Sequence, residues 1–127
     1  MHMLHTIVYD PQGIILINFQ GPLILAEVRQ VMAEVGRLAR EHQCFRLLSD
    51  TLEMELKLSM AEVYYLPGVF AELVSSLGLQ VHKFRRAILV SPNNRMLQFF
   101  ETVSRNRAQD VKLFQDAESA RHWLLEP

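Results

Sequence analysis

Histidine and cysteine are the side chains that most often bind transition metals or act as base and nucleophile, and their spacing here favours neither role. Of the five histidines, His2 and His5 lie near the N-terminus, where chains are commonly frayed, and His42, His82 and His122 stand singly. His42 and Cys44 could form a base–nucleophile pair, but Cys44 begins an apolar segment, where a thiol is usually a buried, inert side chain. We therefore predict no metal site and no catalytic cysteine.

Glu53 and Glu55 are paired carboxylates that alternate with apolar residues. In an extended segment this alternation puts both carboxylates on one face, where solvent exposure is the default. The chain also lacks a glycine-rich phosphate loop and a Gly-x-Ser-x-Gly nucleophile turn. We predict that the protein is not an enzyme and needs no cofactor.

Ser59 and Glu62 have the spacing of a helix capping box. In this motif the serine hydroxyl accepts a hydrogen bond from the amide three residues on, and the glutamate accepts one from the serine amide. The motif predicts a helix that begins at residue 59. An apolar stripe continues past Pro67, and because proline removes a helical hydrogen bond, we expect a kink or two short helices there.

Composition and charge favour a single domain that spans residues 1–127. Half of the 127 residues are hydrophobic, which suffices for a core without disulfides. The net charge of −1 argues against nucleic acid or an anionic membrane as the partner. No secretory signal or membrane-spanning segment is recognisable, and the single cysteine suits a reducing compartment, so we expect a cytoplasmic protein.

Apolar periodicity and turn residues predict a β-β-α-β-α-β-α-β-α order. The predicted strands cover residues 4–9, 13–20, 44–49, 86–91 and 111–114, and the predicted helices cover residues 23–40, 59–77, 95–107 and 117–125. Residues 51–58 are ambiguous. Strands that alternate with helices indicate an α/β fold with a mixed five-stranded sheet, in which the first two strands are antiparallel and the later ones parallel.

This order, together with several local segments, resembles the STAS-like or SpoIIAA-like proteins, which include anti-sigma factor antagonists and the STAS domains of anion transporters. The resemblance covers nearly the whole chain. It is carried by the opening hairpin and by residues 47–50 (LLSD), 86–91 (RAILVS), 99–103 (FFETV), 111–116 (VKLFQD) and 120–124 (ARHWL). It implies a small stand-alone SpoIIAA-like module.

The resemblance implies a possible phosphorylation or anion site at Ser59. In partner-switching members a serine at the start of the second helix is phosphorylated within an Asp-Ser-Ser-Gly-like motif, and of that motif only Ser59 is present here. A phosphate at a helix N-terminus would be stabilised by the free amides and the helix dipole. The alternative is that Ser59 serves only as a helix cap.

The wider structural group is also similar to the lipid-carrying Sec14, or CRAL-TRIO, domains, which implies a small apolar ligand. The combination of aromatic residues with a helix break could leave a pocket lined by Tyr64, Tyr65, Leu66 and Phe70. The alternative is a kinked core helix with the tyrosine hydroxyls at its rim.

A cluster of basic residues and a pair of phenylalanines suggest how parts of the protein surface are used. Lysines and arginines concentrate at Lys83, Arg85, Arg86, Arg95, Arg105 and Arg107, and a pair between Arg105 and Glu101 favours a solvated helix face over an anion site. Phe99 and Phe100 lie about 100° apart on one helix, so one of them could be exposed and mark a self-association interface.

Together these observations predict a cytoplasmic, non-enzymatic STAS-like module that regulates or binds another protein and forms a homodimer. The alternative function is binding of a small apolar, lipid-like ligand.

Overall fold

A five-stranded mixed sheet with helices on both faces is the framework of the computed structural model, which describes residues 5–127. The strands are His5–Asp10 (β1), Ile14–Leu23 (β2), Arg46–Leu56 (β3), Arg85–Leu89 (β4) and Asp110–Phe114 (β5). The helices are Leu25–His42 (α1), Met60–Ser76 (α2), Arg95–Asn106 (α3) and Ala117–Leu124 (α4), with a short 3-10 turn at Val81–Lys83. His2 and Leu4 lie outside the described residues.

The strands are arranged in chain order, and the predicted α/β class and mixed sheet are confirmed. β1 and β2 are antiparallel, whereas β2 through β5 are parallel. The hairpin closes through a hydrogen bond from the Gly13 amide to the Asp10 carbonyl, 2.8 Å long. Gly13 has a φ of 85°, which a residue without Cβ adopts at no steric cost.

Two apolar clusters, one on each face of the sheet, hold the layers together. The larger cluster joins α1, α2 and α3 to inward-facing strand residues such as Ile15, Leu47 and Ile88. The smaller cluster packs α4, through Ala120 and Leu124, against the opposite face. Because successive strand residues point to opposite faces, alternate residues of the central strands face the larger cluster.

A bulge in β3 changes which of its residues face the larger cluster. Asn18 pairs with Asp50 and Gln20 pairs with Glu53, so β3 has one more residue than β2 between these pairs. One extra residue reverses the facing of every residue that follows. Met54 and Leu56 therefore turn inward, and both glutamates of the segment remain exposed.

The predicted end of β2 was wrong, and the structure answers two questions that the sequence left open. β2 does not end before Gly21 but continues to Leu23, and Pro22 in this extension pairs with Glu55. The ambiguous segment after residue 50 is strand as far as Leu56, because it pairs with this extension. α2 is one continuous helix across Pro67.

Two further findings concern the helices. The side chain of Leu77 fills the space where a Cβ on Gly36 would lie, at 2.6 Å, so this buried glycine lets α1 approach α2 closely. Among residues 5–127 no helix combines the length and the apolarity needed to cross a membrane.

Candidate functional site

A cavity of about 120 Å³ lies between the sheet and the helices α1, α2 and α3. We call it the central cavity. Its lining is apolar except for Ser49, Thr51 and Arg86; the remaining lining residues are Ile17, Phe19, Leu23, Val28, Val31, Met32, Val35, Leu47, Met54, Leu56, Val63, Leu66, Phe70, Ile88, Leu97 and Phe100.

Strand alternation and the helical stripes bring these residues together. Leu47, Ser49 and Thr51 follow one another at every second position of β3, and Arg86 and Ile88 do the same on β4. Such residues share a face of the sheet, here the face covered by the three helices. The bulge in β3 adds Met54 and Leu56 to this face.

The central cavity reaches the surface where β2 and β3 extend beyond the rest of the sheet. Of its lining residues, Phe19, Ser49, Met54 and Leu56 are partly exposed, and Met54 and Leu56 belong to the extension of β3. Thr51 is buried, and its hydroxyl donates to the carbonyl of Leu89 at 2.6 Å. Three of the four partly exposed lining residues are thus apolar, whereas Thr51 and Arg86 are buried.

Arg86 is the charged side chain in the lining, and it is 9% exposed. Its Nη2 donates to Oε1 of Gln109 at 2.8 Å. The guanidinium carbon lies 4.3 Å from the ring centre of Phe70 and 5.6 Å from that of Phe100. The cation is thus held between two aromatic rings and one neutral amide.

No carboxylate pairs with Arg86 within residues 5–127. Burial lowers the pKa of Arg86 to about 10, because the low-dielectric surroundings disfavour the charged form. The side chain nevertheless remains protonated at neutral pH. The central cavity therefore contains a positive charge that none of the described residues neutralises.

Gln109 fixes the position of this charge. Its side chain is 4% exposed, and besides accepting from Arg86 it donates from Nε2 to the Pro67 carbonyl at 2.8 Å. One amide thereby connects β4, α2 and the residue that precedes β5.

Ser59 caps α2 with the predicted capping box. Its hydroxyl oxygen accepts from the Glu62 amide at 3.1 Å, and the Glu62 carboxylate accepts from the Ser59 amide at 2.8 Å. The side chain is exposed at the beginning of the helix. The cap therefore leaves the Ser59 side chain accessible to solvent.

The first two turns of α2 expose apolar side chains. Met60 is 61% exposed, Tyr64 46% and Tyr65 62%, and the two tyrosine rings pack edge to face with their centres 5.2 Å apart. The Arg107 guanidinium lies 5.6 Å from the centre of the Tyr64 ring. We call these four residues the aromatic surface. Polar residues would normally occupy the solvent face of such a helix.

The residues predicted to line a ligand pocket separate into two groups. Leu66 and Phe70 line the central cavity, whereas Tyr64 and Tyr65 point to solvent and do not. Residues one helical turn apart share a face, so Leu66 and Phe70 face inward together while the tyrosines occupy the other side.

The pair proposed as a self-association interface lies mostly inside. Phe100 is 9% exposed and packs over Arg86, so it is not available at the surface. Phe99 is partly buried against the larger cluster.

The cysteine, histidine and glutamates considered for catalysis each contact other residues of the fold. The buried Cys44 thiol donates to the Gly13 carbonyl at 3.2 Å, and the His42 ring stacks on Tyr9 with centres 3.9 Å apart. Glu53 accepts from Gln20, and Glu55 pairs with Lys57. No group of three His, Cys, Asp or Glu suited to a metal occurs in the part of the chain that the structure describes.

The prediction that the clustered lysines and arginines are exposed to solvent was wrong for Arg86, which is buried. The signal was present in the alternation of β4, where Arg86 shares its face with the buried Ile88. The pair expected between Arg105 and Glu101 does not form either. The Glu101 carboxylate accepts instead from the Leu113 amide at 2.9 Å.

Neither a protein-family model nor a curated protein sequence matches this chain. Solved structures do. One is the unphosphorylated form of the anti-sigma factor antagonist SpoIIAA, with a TM-score of 0.60, 14% identity and coverage of 93% of this chain and 94% of the other. Another is an uncharacterised protein of the DUF3478 family from Shewanella loihica PV-4 with a SpoIIAA-like fold, with a TM-score of 0.52, 22% identity and coverage of 94% and 91%.

At these identities the likeness concerns the arrangement of the backbone. It extends over more than nine-tenths of this chain and of each compared chain. The chain therefore has the SpoIIAA-like fold.

Proposed function

We propose that this protein is a non-enzymatic, STAS-type regulatory module that binds a protein partner through the aromatic surface. The observation that carries the proposal is the exposure of Met60, Tyr64 and Tyr65 on the first two turns of α2. The SpoIIAA-like fold supports a regulatory role, since one structure that shares it is an anti-sigma factor antagonist.

The chemistry of the aromatic surface suits a protein interface. Tyrosine, methionine and arginine are enriched at the centres of protein interfaces, and tyrosine and arginine supply many of the residues that dominate binding energy. Arg107 against the Tyr64 ring, and Tyr65 against its edge, restrict these side chains before binding. Less conformational entropy is then lost when a partner covers them.

Ser59 adjoins this surface, and we propose that its phosphorylation regulates binding. A phosphate there would add a charge of about −1.5 to −2 next to Met60 and close to the Glu62 carboxylate. The Ser59→Asp variant should therefore change the affinity for the partner. An unchanged affinity would leave Ser59 with its capping role alone.

Quantitative affinity capture tests the proposed interface. Three tagged proteins are expressed in cells of the organism that encodes this chain, and the proteins that co-purify with each are compared. The three are wild type, Tyr65→Ser and Leu125→Ser. Leu125 is 40% exposed beyond α4 and serves as the matched control for loss of a surface apolar group. We expect a partner that is retained by wild type and Leu125→Ser and lost with Tyr65→Ser.

Two results would contradict this function. An identical set of partners for all three proteins would exclude the aromatic surface as the interface, and substrate turnover by the purified protein would contradict a non-enzymatic role. Native mass spectrometry of the same samples tests the predicted homodimer, which has a mass twice that of the 14.7 kDa chain.

The central cavity favours a second function, the binding of a small molecule with an apolar body. A volume of about 120 Å³ approaches that of an engineered cavity of ~150 Å³ that takes benzene. Toluene should therefore shift the amide resonances of residues around the cavity in NMR spectra. Ser49→Leu should abolish this effect, because Ser49 faces the cavity and the larger side chain fills it.

A further inference from the structure

The positive charge in the central cavity indicates which class of small molecule would bind there. This inference rests on the second proposed function, the binding of a small molecule with an apolar body. Among the described lining residues Arg86 alone is charged, and everything around its guanidinium is apolar or neutral. We infer that the central cavity binds a small apolar carboxylate, with the carboxylate on Arg86 and the hydrocarbon part against the lining of α1, α2 and α3.

The hydrogen-bonding capacity of Arg86 supports an anion. A guanidinium has five N–H donors, and within residues 5–127 Arg86 makes one hydrogen bond, from Nη2 to Gln109. Nε and Nη1 have no acceptor in that part of the chain. A carboxylate can accept two parallel hydrogen bonds from one edge of a guanidinium, which adds both strength and a defined orientation.

The energetics of burial also favour an anion. An ionised group in apolar surroundings carries a large desolvation cost unless an opposite charge accompanies it. The two aromatic rings and the Gln109 amide stabilise the cation but leave the net charge in place. A bound anion would neutralise it, so its attraction to Arg86 would act in the same low-dielectric region.

Charge and size together narrow the ligand class. One guanidinium balances a single negative charge, which suits a carboxylate and not a phosphate monoester dianion. The volume of about 120 Å³ accommodates an apolar body near the size of benzene. The partly exposed apolar residues Phe19, Met54 and Leu56 would contact the hydrocarbon part as it enters. Benzoate and hexanoate represent the class.

NMR titration of the full chain tests the inference without any mutation. Benzoate is compared with benzamide, which has the same shape and no charge, and with phenyl phosphate. We expect benzoate to bind at least about tenfold more tightly than benzamide, the ratio that a hydrogen bond to a charged group supplies. Equal binding of the two, or tighter binding of phenyl phosphate, would overturn the assignment of a carboxylate.

Two variants then test whether the carboxylate binds to Arg86. Arg86→Met replaces the guanidinium with an apolar group, and Arg121→Met removes an arginine that pairs with Asp10 and does not line the central cavity. We expect Arg86→Met to bind benzoate no better than benzamide and to keep its affinity for toluene. Arg121→Met should match wild type.

The toluene titration separates the two levels of the proposal. If toluene binds wild type but benzoate is not preferred over benzamide, the cavity is a ligand site and the role of Arg86 is refuted. If neither toluene nor benzoate binds, the ligand-binding function itself is refuted. Retained benzoate preference in Arg86→Met would place the anion elsewhere and overturn the inference.

Discussion

Gln109 connects Arg86 to α2 through its two amide atoms, and truncating it tests whether this buried polar arrangement holds the cavity wall in place. Gln109→Ala removes the acceptor of the Arg86 guanidinium and the donor to the Pro67 carbonyl. Both lost hydrogen bonds are 2.8 Å long and buried. The variant leaves a buried cation without any hydrogen-bond partner among the described residues.

The magnitude follows from three contributions. A hydrogen bond to a charged group contributes about 2 kcal/mol to stability, and a neutral one contributes about 1 kcal/mol. Loss of the buried Cγ costs a further ~0.8 kcal/mol, the value for one methylene. The free energy of unfolding should therefore fall by about 4 kcal/mol, a large fraction of the ~5–15 kcal/mol that stabilises a typical domain.

Urea unfolding followed by circular dichroism measures this change. Gln98→Ala, which removes an exposed glutamine side chain from α3, is the matched control and should change the free energy by less than about 0.5 kcal/mol. In an Arg86→Met background Gln109→Ala should cost about 2 kcal/mol less, because the charged hydrogen bond is already absent. A loss below about 1.5 kcal/mol, or no coupling between the two sites, would refute this account of the cavity wall.

Three further changes test other parts of the structure. Ser59→Ala should lower the free energy of unfolding by about 1 kcal/mol, whereas Ser59→Asp, which preserves a good cap, should stay near wild type; equal losses would contradict the capping box. The buried Ser104 hydroxyl has no partner among the described residues, so Ser104→Ala should raise stability by about 1 kcal/mol in the same assay, and a loss would reveal a missed hydrogen bond. The hydrogen bond from Arg121 lowers the pKa of Asp10, so its ionised form stabilises the fold above the unfolded-state pKa, and this contribution is lost as the pH falls below about 4. Unfolding of Asp10→Asn at low salt should accordingly show a weaker acid dependence than wild type, and an unchanged dependence would contradict the pairing.

Local signals sufficed for most of the fold. The turn around Gly13, the caps at Ser59, Asn94 and Asp116, and the apolar periodicity predict the hairpin, the strands and the helices in their correct order. Short connections and right-handed crossovers then restrict the sheet to one antiparallel and three parallel pairings. These features depend on residues close in sequence.

The candidate site was predictable only in part. Leu66 and Phe70 line the central cavity, but Tyr64 and Tyr65 belong to the exposed aromatic surface. The prediction relied on the proximity of the four residues to Pro67, and proximity along a helix does not tell which side faces the core. The helix remains continuous there, so its periodicity places the tyrosines outside.

Turn, cap and periodicity signals act over a few residues, so they establish the order of the strands and helices and the α/β class without any tertiary contact. The facing of Met54 and Leu56, set by the bulge against β2, and the burial of Arg86 depend instead on contacts between distant segments. Arg86 is 23 residues from Gln109, which is in turn 42 residues from Pro67. Burial of a charge depends on which distant groups surround it, and the packing of the sheet against three helices brings those groups together.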